Sequence, residues 1–272
     1  MKYKSLWLLA GLLAACTTPQ SEEDNKSTAA LPEVATHDVE STMLAPMQRA
    51  HGAEALANQE VIKSEITLYR GQDAALAAIM YVSTDGAKVR MELPGGSILV
   101  FDGKECWTND STAATSRNRF HLLTWSYFLM APYKVADPGT HFEVLGEQEM
   151  RKEEMAMAGR LTFDAGIGDS PDDWYILYTD PQTHLLRAVS YIVTYASPAE
   201  EAEPHAMVYE DYQPVAGVQI PTKWSLFGWS EAEGIGESLN TTVTLTDVAF
   251  VQAESLFEAP AKGYKLPLPG EG

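Results

Sequence analysis

Between residues 61 and 251 the chain is a succession of short segments in which apolar and polar residues alternate, separated by turn sequences. Residues 88–93, for example, read Lys-Val-Arg-Met-Glu-Leu. Alternation with a period of two is typical of strands that bury one face. About ten or eleven such segments follow one another with short turns and without β-α-β order. The sequence therefore predicts a mainly β (α+β) fold, with a large curved antiparallel sheet or incomplete β-barrel.

Two segments have helical spacing instead. The first covers about residues 40–57, and Gly52 is expected to bend it at residues 50–52. The second covers residues 116–130, where apolar side chains nearly encircle the helix, and Pro132 is predicted to end it. A helix this apolar must be covered, and we expect it to lie as a lid on the concave face of the curved sheet.

The N-terminus has the organisation of an export signal. Lys2 and Lys4 precede an apolar run at residues 6–15, which is too short for the ~20 residues of a membrane-spanning helix. The run ends in Leu-Ala-Ala-Cys at residues 13–16. This ending resembles the lipobox of bacterial lipoproteins, which implies cleavage before Cys16 and acylation of that residue. The alternative is an ordinary signal peptide followed by a chance cysteine.

The sequence thus divides into three predicted parts. Residues 1–15 are a lipoprotein signal peptide, residues 16–39 are the lipidated Cys16 with a polar, flexible tether, and residues 40–272 are the folded domain. Thr17 after Cys16 is compatible with export to an outer membrane. We therefore expect a lipid-anchored protein of the cell envelope, on the outer membrane and facing the periplasm.

The net charge of −19 limits the partners of the chain. Nucleic acid is not an expected partner, because its phosphates need Lys and Arg. Docking on anionic lipid through surface charge is also disfavoured. Contact with a membrane must then come from acyl chains on Cys16, each buried CH₂ of which contributes ~0.8 kcal/mol.

No metal, cofactor or catalytic site is predicted. The loop at residues 164–173 carries Asp164, Asp169, Asp172 and Asp173, whose oxygens could bind Ca²⁺. Tyr175 stands where an EF-hand has its bidentate Glu, so a solvated turn is the preferred interpretation. The sequence contains no hydrolase, metalloprotease or nucleotide-binding motif.

The histidines and the remaining cysteine also indicate no metal or catalytic site. The six histidines are scattered without metal-ligand spacing, and a structural role is favoured over a catalytic one for His51. Once Cys16 is lipidated, Cys106 is the one thiol left, and it is interpreted as a buried, inert residue.

Aromatic residues and Met are frequent on the predicted strands and on the second helix. Flat rings and adaptable thioethers suit a pocket for flexible acyl chains, although they suit an ordinary core equally well. The residues expected to line an apolar cavity and its lid are Met91, Trp107, Phe120, Leu123, Trp125, Phe128, Trp174 and Trp224.

Short segments across most of the mature chain resemble a family of bacterial lipoproteins related to the outer-membrane lipoprotein carriers LolA and LolB. They lie at residues 47–53, 125–137, 172–178, 185–195 and 215–221. The resemblance implies an unclosed β-barrel with a helical lid over an apolar cavity, which in the carriers takes the acyl chains of lipoproteins.

Two functions remain open at this point. The first is a membrane-anchored, non-enzymatic protein that binds a lipid, an acyl chain or a lipidated protein in the half-barrel cavity. The second is a structural or protein-interaction lipoprotein of the envelope, with a filled core and no ligand. The volume of the interior distinguishes them, because a ligand needs a pocket of ~300 Å³ or more.

Overall fold

The computed structural model describes residues 36–271, so Cys16, the signal peptide and most of the expected tether lie outside the described residues. Thirteen strands form one sheet in which every neighbouring pair is antiparallel. The strands are β1 Val61–Arg70, β2 Asp73–Ser83, β3 Val89–Glu92, β4 Ile98–Phe101, β5 Cys106–Thr108, β6 Thr140–Arg151, β7 Glu154–Phe163, β8 Tyr175–Thr179, β9 Leu186–Tyr191, β10 His205–Val215, β11 Val218–Ser230, β12 Gly234–Val251 and β13 Tyr264–Lys265.

The order of the strands is β13-β5-β4-β3-β2-β1-β12-β11-β10-β9-β8-β7-β6. Two meanders therefore meet where β1 pairs with β12, and β6 and β13 form the edges. At the junction Ile66 faces Leu245 and Leu68 faces Val243, and all four side chains are buried. This unclosed sheet confirms the predicted mainly β fold.

The first predicted helix is observed as two short helices with a bend between them. They are α1 Thr36–Ala50 and α2 Ala53–Leu56, so α1 begins four residues before the expected start near residue 40. Gly52 occupies the bend with a φ of 81°, and a Cβ there would lie 2.2 Å from the carbonyl oxygen of Gly217. Only glycine fits this backbone conformation and this close approach. The predicted bend is confirmed.

The second predicted helix is α3, Ser116–Lys134, and it begins where expected. The Thr115 hydroxyl caps it by accepting a 3.2 Å hydrogen bond from the amide of Asn118. The prediction that Pro132 ends the helix is wrong, because α3 continues through it. Pro132 cannot donate to the Phe128 carbonyl, and the buried Tyr209 hydroxyl donates to that oxygen instead, at 2.9 Å.

Helix α3 connects β5 to β6, which lie toward opposite ends of the sheet, and its buried residues belong to the main core. Leu122, Phe128 and Met130 pack there with inward-facing residues of both meanders. The predicted lid is therefore present. No helix among residues 36–271 combines the length and the apolarity that crossing a bilayer requires.

A second, smaller core lies apart from the main one. It contains Met150, Tyr178 and Ile235, with Phe227 and Trp229 packed against it. Trp224 and Leu226 contact the main core instead, so β11 is apolar on both faces, as its sequence predicts. The hairpin of β6 and β7 reaches this second core at Gly234, where a Cβ would come within 2.5 Å of the Met150 carbonyl oxygen. The described residues 36–271 form one compact unit.

Candidate functional site

A cavity of about 520 Å³ lies between α3 and the sheet. Aromatic side chains supply much of its wall, with aliphatic residues between them and polar residues toward its opening. The aromatic and aliphatic lining consists of Val89, Phe101, Phe120, Leu123, Tyr127, Phe128, Phe163, Ile167, Tyr175, Tyr191, Val193 and Tyr195. Its volume falls within the ~300–1,000 Å³ typical of small-molecule pockets.

One face of α3 forms a wall of the cavity. Phe120, Leu123, Tyr127 and Phe128 line it, at the three- and four-residue spacing that places side chains on one side of a helix. Phe128 is buried against Tyr191 with their ring centroids 4.9 Å apart. Three of the residues predicted from the sequence, Phe120, Leu123 and Phe128, thus meet at this wall.

The opposite wall comes from β8, β9 and the residues that follow β9. Tyr191, Val193 and Tyr195 alternate along the chain and all three line the cavity. Tyr175 joins them from β8, with its ring stacked 6.2 Å from that of Tyr191. Sequence reasoning missed these residues, although the period-two spacing at 191, 193 and 195 is the signal that places them on one face.

A buried carboxyl group lies in the cavity wall. Asp173 is 8% exposed, and its Oδ1 accepts hydrogen bonds from the Thr194 amide at 2.7 Å and the Thr194 hydroxyl at 2.8 Å. The Tyr175 hydroxyl lies 3.4 Å from Oδ2. Burial raises the pKa of Asp173, and the hydrogen bonds from Thr194 oppose this shift. Asp173 therefore provides a hydrogen-bonding position inside an otherwise aromatic wall.

The polar residues at the opening are largely paired. Arg119 forms a two-pronged ion pair with Asp169, with Nε–Oδ2 at 2.6 Å and Nη2–Oδ1 at 2.7 Å. Lys134 pairs with Asp137 at the other end of α3. The exposed Lys104 also lines the opening, and among residues 36–271 it forms no ion pair.

Three of the four carboxylates in the acidic loop at residues 164–173 have partners within the protein, and the fourth, Asp172, is exposed. Asp164 contacts His141 at 2.7 Å, Asp169 binds Arg119, and Asp173 accepts from Thr194. Over the part of the chain that the structure describes, no group of three His, Cys, Asp or Glu residues could hold a metal ion. The loop forms part of the cavity wall through Ile167 and Asp169.

The other five predicted cavity residues lie outside this wall. Met91 and Trp224 are fully buried in the main core, and Trp125 packs against His121 and Phe128. The two remaining tryptophans occupy other places: Trp107 donates to Asp102 at 3.1 Å near a sheet edge, and Trp174 packs on Trp229 beside the second core.

His51 is a buried structural residue. Its Nδ1 donates to the Met47 carbonyl at 2.8 Å, and Nε2 lies 3.4 Å from the Tyr212 hydroxyl. Its own carbonyl accepts hydrogen bonds from the Tyr133 hydroxyl and the Gln219 amide. Burial lowers the pKa of His51 to about 4, so the ring is neutral near pH 7. These contacts tie α1 to α3 and β11.

Cys106 is also buried, as expected. Burial raises the pKa of its thiol to about 12, which leaves it protonated and unreactive near neutral pH.

The fold is shared with proteins of known structure. A LolA superfamily protein from Nitrosomonas europaea aligns over 81% of this chain and 97% of its own, with 10% identity and a TM-score of 0.54. A DUF1329 family protein from Desulfovibrio piger aligns over 81% and 97%, with 11% identity and a TM-score of 0.51. No protein-family model matches the sequence, and no curated protein sequence matches it. The structural matches confirm the LolA-like, unclosed β fold.

Proposed function

We propose that this chain is a lipid-anchored protein of the cell envelope that binds a hydrophobic ligand in the cavity beneath α3 and catalyses no reaction. The ligand is a lipid, an acyl chain or the acyl part of a lipidated protein. Acylated Cys16 holds the protein on the outer membrane, facing the periplasm, and residues 17–35, which precede α1, are the tether. The single observation that carries the proposal is the aromatic cavity of about 520 Å³.

The lining of the cavity supports an apolar ligand. Phe120, Leu123 and Phe128 face it from α3, while Tyr191 and Val193 face it from the sheet. Burial of hydrocarbon against such a surface contributes ~25 cal/mol per Å² removed from water. The LolA-like fold is consistent with this role, although fold alone does not establish a function.

The alternative is an envelope lipoprotein with a filled interior that acts through protein contacts. The cavity volume argues against a filled interior. A role in catalysis also has little support. His51 is buried and engaged in structural contacts, and Asp173 is hydrogen-bonded to Thr194 and Tyr175.

The test is native mass spectrometry of the chain expressed without residues 1–16. We expect it to retain or accept acyl ligands in a ratio of one per protein. Leu123→Trp narrows the cavity from α3 and is expected to weaken this binding. Leu239→Trp places the same side chain at an exposed position on β12 and serves as the matched control. Absence of any acyl adduct in the unsubstituted chain would contradict the proposal.

A further inference from the structure

The cavity wall contains a hydroxyl group without a hydrogen-bond partner. The ring of Tyr127 lines the cavity, and its hydroxyl oxygen is buried without a partner among the residues that the structure describes. Burying an unsatisfied hydroxyl is unfavourable, and such a group calls for an explanation when it adjoins a cavity. Ser64 and Ser190 also have buried, unpartnered hydroxyls, but neither lines this cavity.

An acceptor lies in the same part of the wall. The ring of Tyr127 is 5.3 Å from that of Tyr175, whose hydroxyl is close to Asp173. Both strong hydrogen bonds to Asp173 end on Oδ1. The carboxyl oxygen Oδ2 has one contact, with Tyr175 at 3.4 Å, which is too long for a strong hydrogen bond. The wall therefore combines a donor that lacks an acceptor with an acceptor that lacks a good donor.

The charges around the cavity disfavour an anionic group at this position. Asp173 would repel a carboxylate or phosphate brought beside it. At the opening, Arg119 is neutralised by Asp169 and Lys134 by Asp137. Among the described residues that line the cavity, only Lys104 is left to attract an anion, and it is exposed to solvent, where a single charge contributes little.

We propose that the ligand is a lipid with an uncharged hydroxyl group and that this group binds between Tyr127 and Asp173. A hydroxyl is suited to the pair because it can accept from the Tyr127 hydroxyl and donate to Oδ2 of Asp173 at once. The phenol ring of Tyr127 turns toward the cavity as the ligand enters, which brings its covered hydroxyl within reach. This inference rests on the proposed binding function and adds the chemical class of the ligand.

The test compares three ligands with the same alkyl chain: lauryl alcohol, its methyl ether and laurate at neutral pH. Each displaces an uncharged fluorescent hydrophobic probe from the chain that begins at Thr17, which contains the whole compact unit. The alcohol is expected to bind about three- to tenfold more tightly than either of the other two ligands. The ether cannot donate to Asp173, and laurate is an anion.

Tyr127→Phe is expected to weaken the binding of the alcohol and of the ether by a similar three- to tenfold factor, because both ligands lose the phenol donor. The stability of the ligand-free protein should be unchanged or higher, since the substitution removes an unpartnered buried hydroxyl; a purely structural role for Tyr127 would lower it. Tyr264→Phe, at an exposed position on β13, is the matched control and should leave all three affinities unchanged.

The outcomes separate this inference from the proposed function. If laurate binds most tightly, or if the alcohol and the ether bind equally, the hydroxyl-binding pair is refuted while the cavity remains a lipid site. If no ligand displaces the probe and the probe itself does not bind, the proposed function fails as well. The comparison of the alcohol with the ether needs no variant, so it decides the matter even if Tyr127→Phe does not fold.

Discussion

The Tyr209 hydroxyl donates a 2.9 Å hydrogen bond to the carbonyl oxygen of Phe128, the acceptor that Pro132 leaves without its usual helical donor. Both residues are buried, so no water can reach the Phe128 carbonyl to replace this hydrogen bond if it is lost. The bond allows α3 to continue past Pro132 to Lys134, whose side chain reaches the opening of the cavity.

Tyr209→Phe is therefore expected to destabilise the protein by about 1–3 kcal/mol, because it leaves a buried carbonyl unsatisfied. Chemical denaturation measures this cost. In a Pro132→Ala background the new amide at residue 132 can donate to Phe128, so Tyr209→Phe should cost clearly less there. An equal cost in both backgrounds would show that the tyrosine does not compensate for the proline.

The ion pair between Arg119 and Asp169 is expected to hold the loop at residues 164–173 against α3. Its two charge-assisted hydrogen bonds are largely buried, with side-chain exposures of 12% and 19%. Asp169→Asn should raise hydrogen exchange at residues 164–170 about tenfold and speed ligand release. Glu105→Gln removes the exposed pair with Lys265 and should change neither. An unchanged exchange rate in Asp169→Asn would refute the role of the pair.

Stability is expected to fall as the pH is lowered from about 7 to 5. Burial lowers the pKa of both His51 and His121 to about 4, against 6.5 for the free residue. Between these values the unfolded state binds more protons than the folded state, so each histidine costs about 2 kcal/mol over this pH range.

Urea denaturation at the two pH values measures the effect. His51→Gln lowers stability at neutral pH, but it should reduce the dependence on pH by about half, since one of the two buried histidines no longer titrates. His184→Asn replaces an exposed histidine with positive φ and should keep the full dependence. If the stability of His51→Gln depended on pH as strongly as that of the unsubstituted protein, His51 would not be a source of the acid sensitivity.

Cys16→Ser is expected to move the protein from the membrane fraction to the soluble fraction, because acyl chains on this residue are the proposed anchor. Cell fractionation with immunoblotting detects the change. Cys106→Ala removes the buried thiol instead and should leave the protein in the membrane fraction. Membrane retention of the Cys16→Ser protein would refute the lipid anchor.

The sequence predicted the strands where apolar and polar residues alternate, and it missed strand length where they do not. The pattern predicts a strand at residues 142–146, and the polar sequence Glu-Gln-Glu at residues 147–149 gave no reason to extend it, whereas β6 continues to Arg151. The β6–β7 hairpin approaches Gly234 on the distant β12, and a local pattern carries no information about such a contact.

Only part of the cavity lining was predicted, for a similar reason. The apolar face of α3 is visible in the sequence, and it identified Phe120, Leu123 and Phe128. Tryptophan content did not distinguish core from cavity: Trp224 on β11 is completely buried in the core, whereas Tyr191 on β9 lines the cavity. Whether a large residue lies beside a cavity depends on how two distant segments pack against each other. The period-two pattern indicates only which face of a strand a residue occupies.

The most direct test of a ligand site beneath α3 is an isotope-filtered nuclear Overhauser experiment on the chain that begins at Thr17, bound to isotopically labelled lauryl alcohol. We predict contacts between the methylene protons of the alkyl chain and the side chains of Leu123, Phe128 and Val193, which line the cavity from its two walls. Contacts confined to the exposed Met155 and Leu239, or no contacts with cavity residues at saturation, would contradict the account.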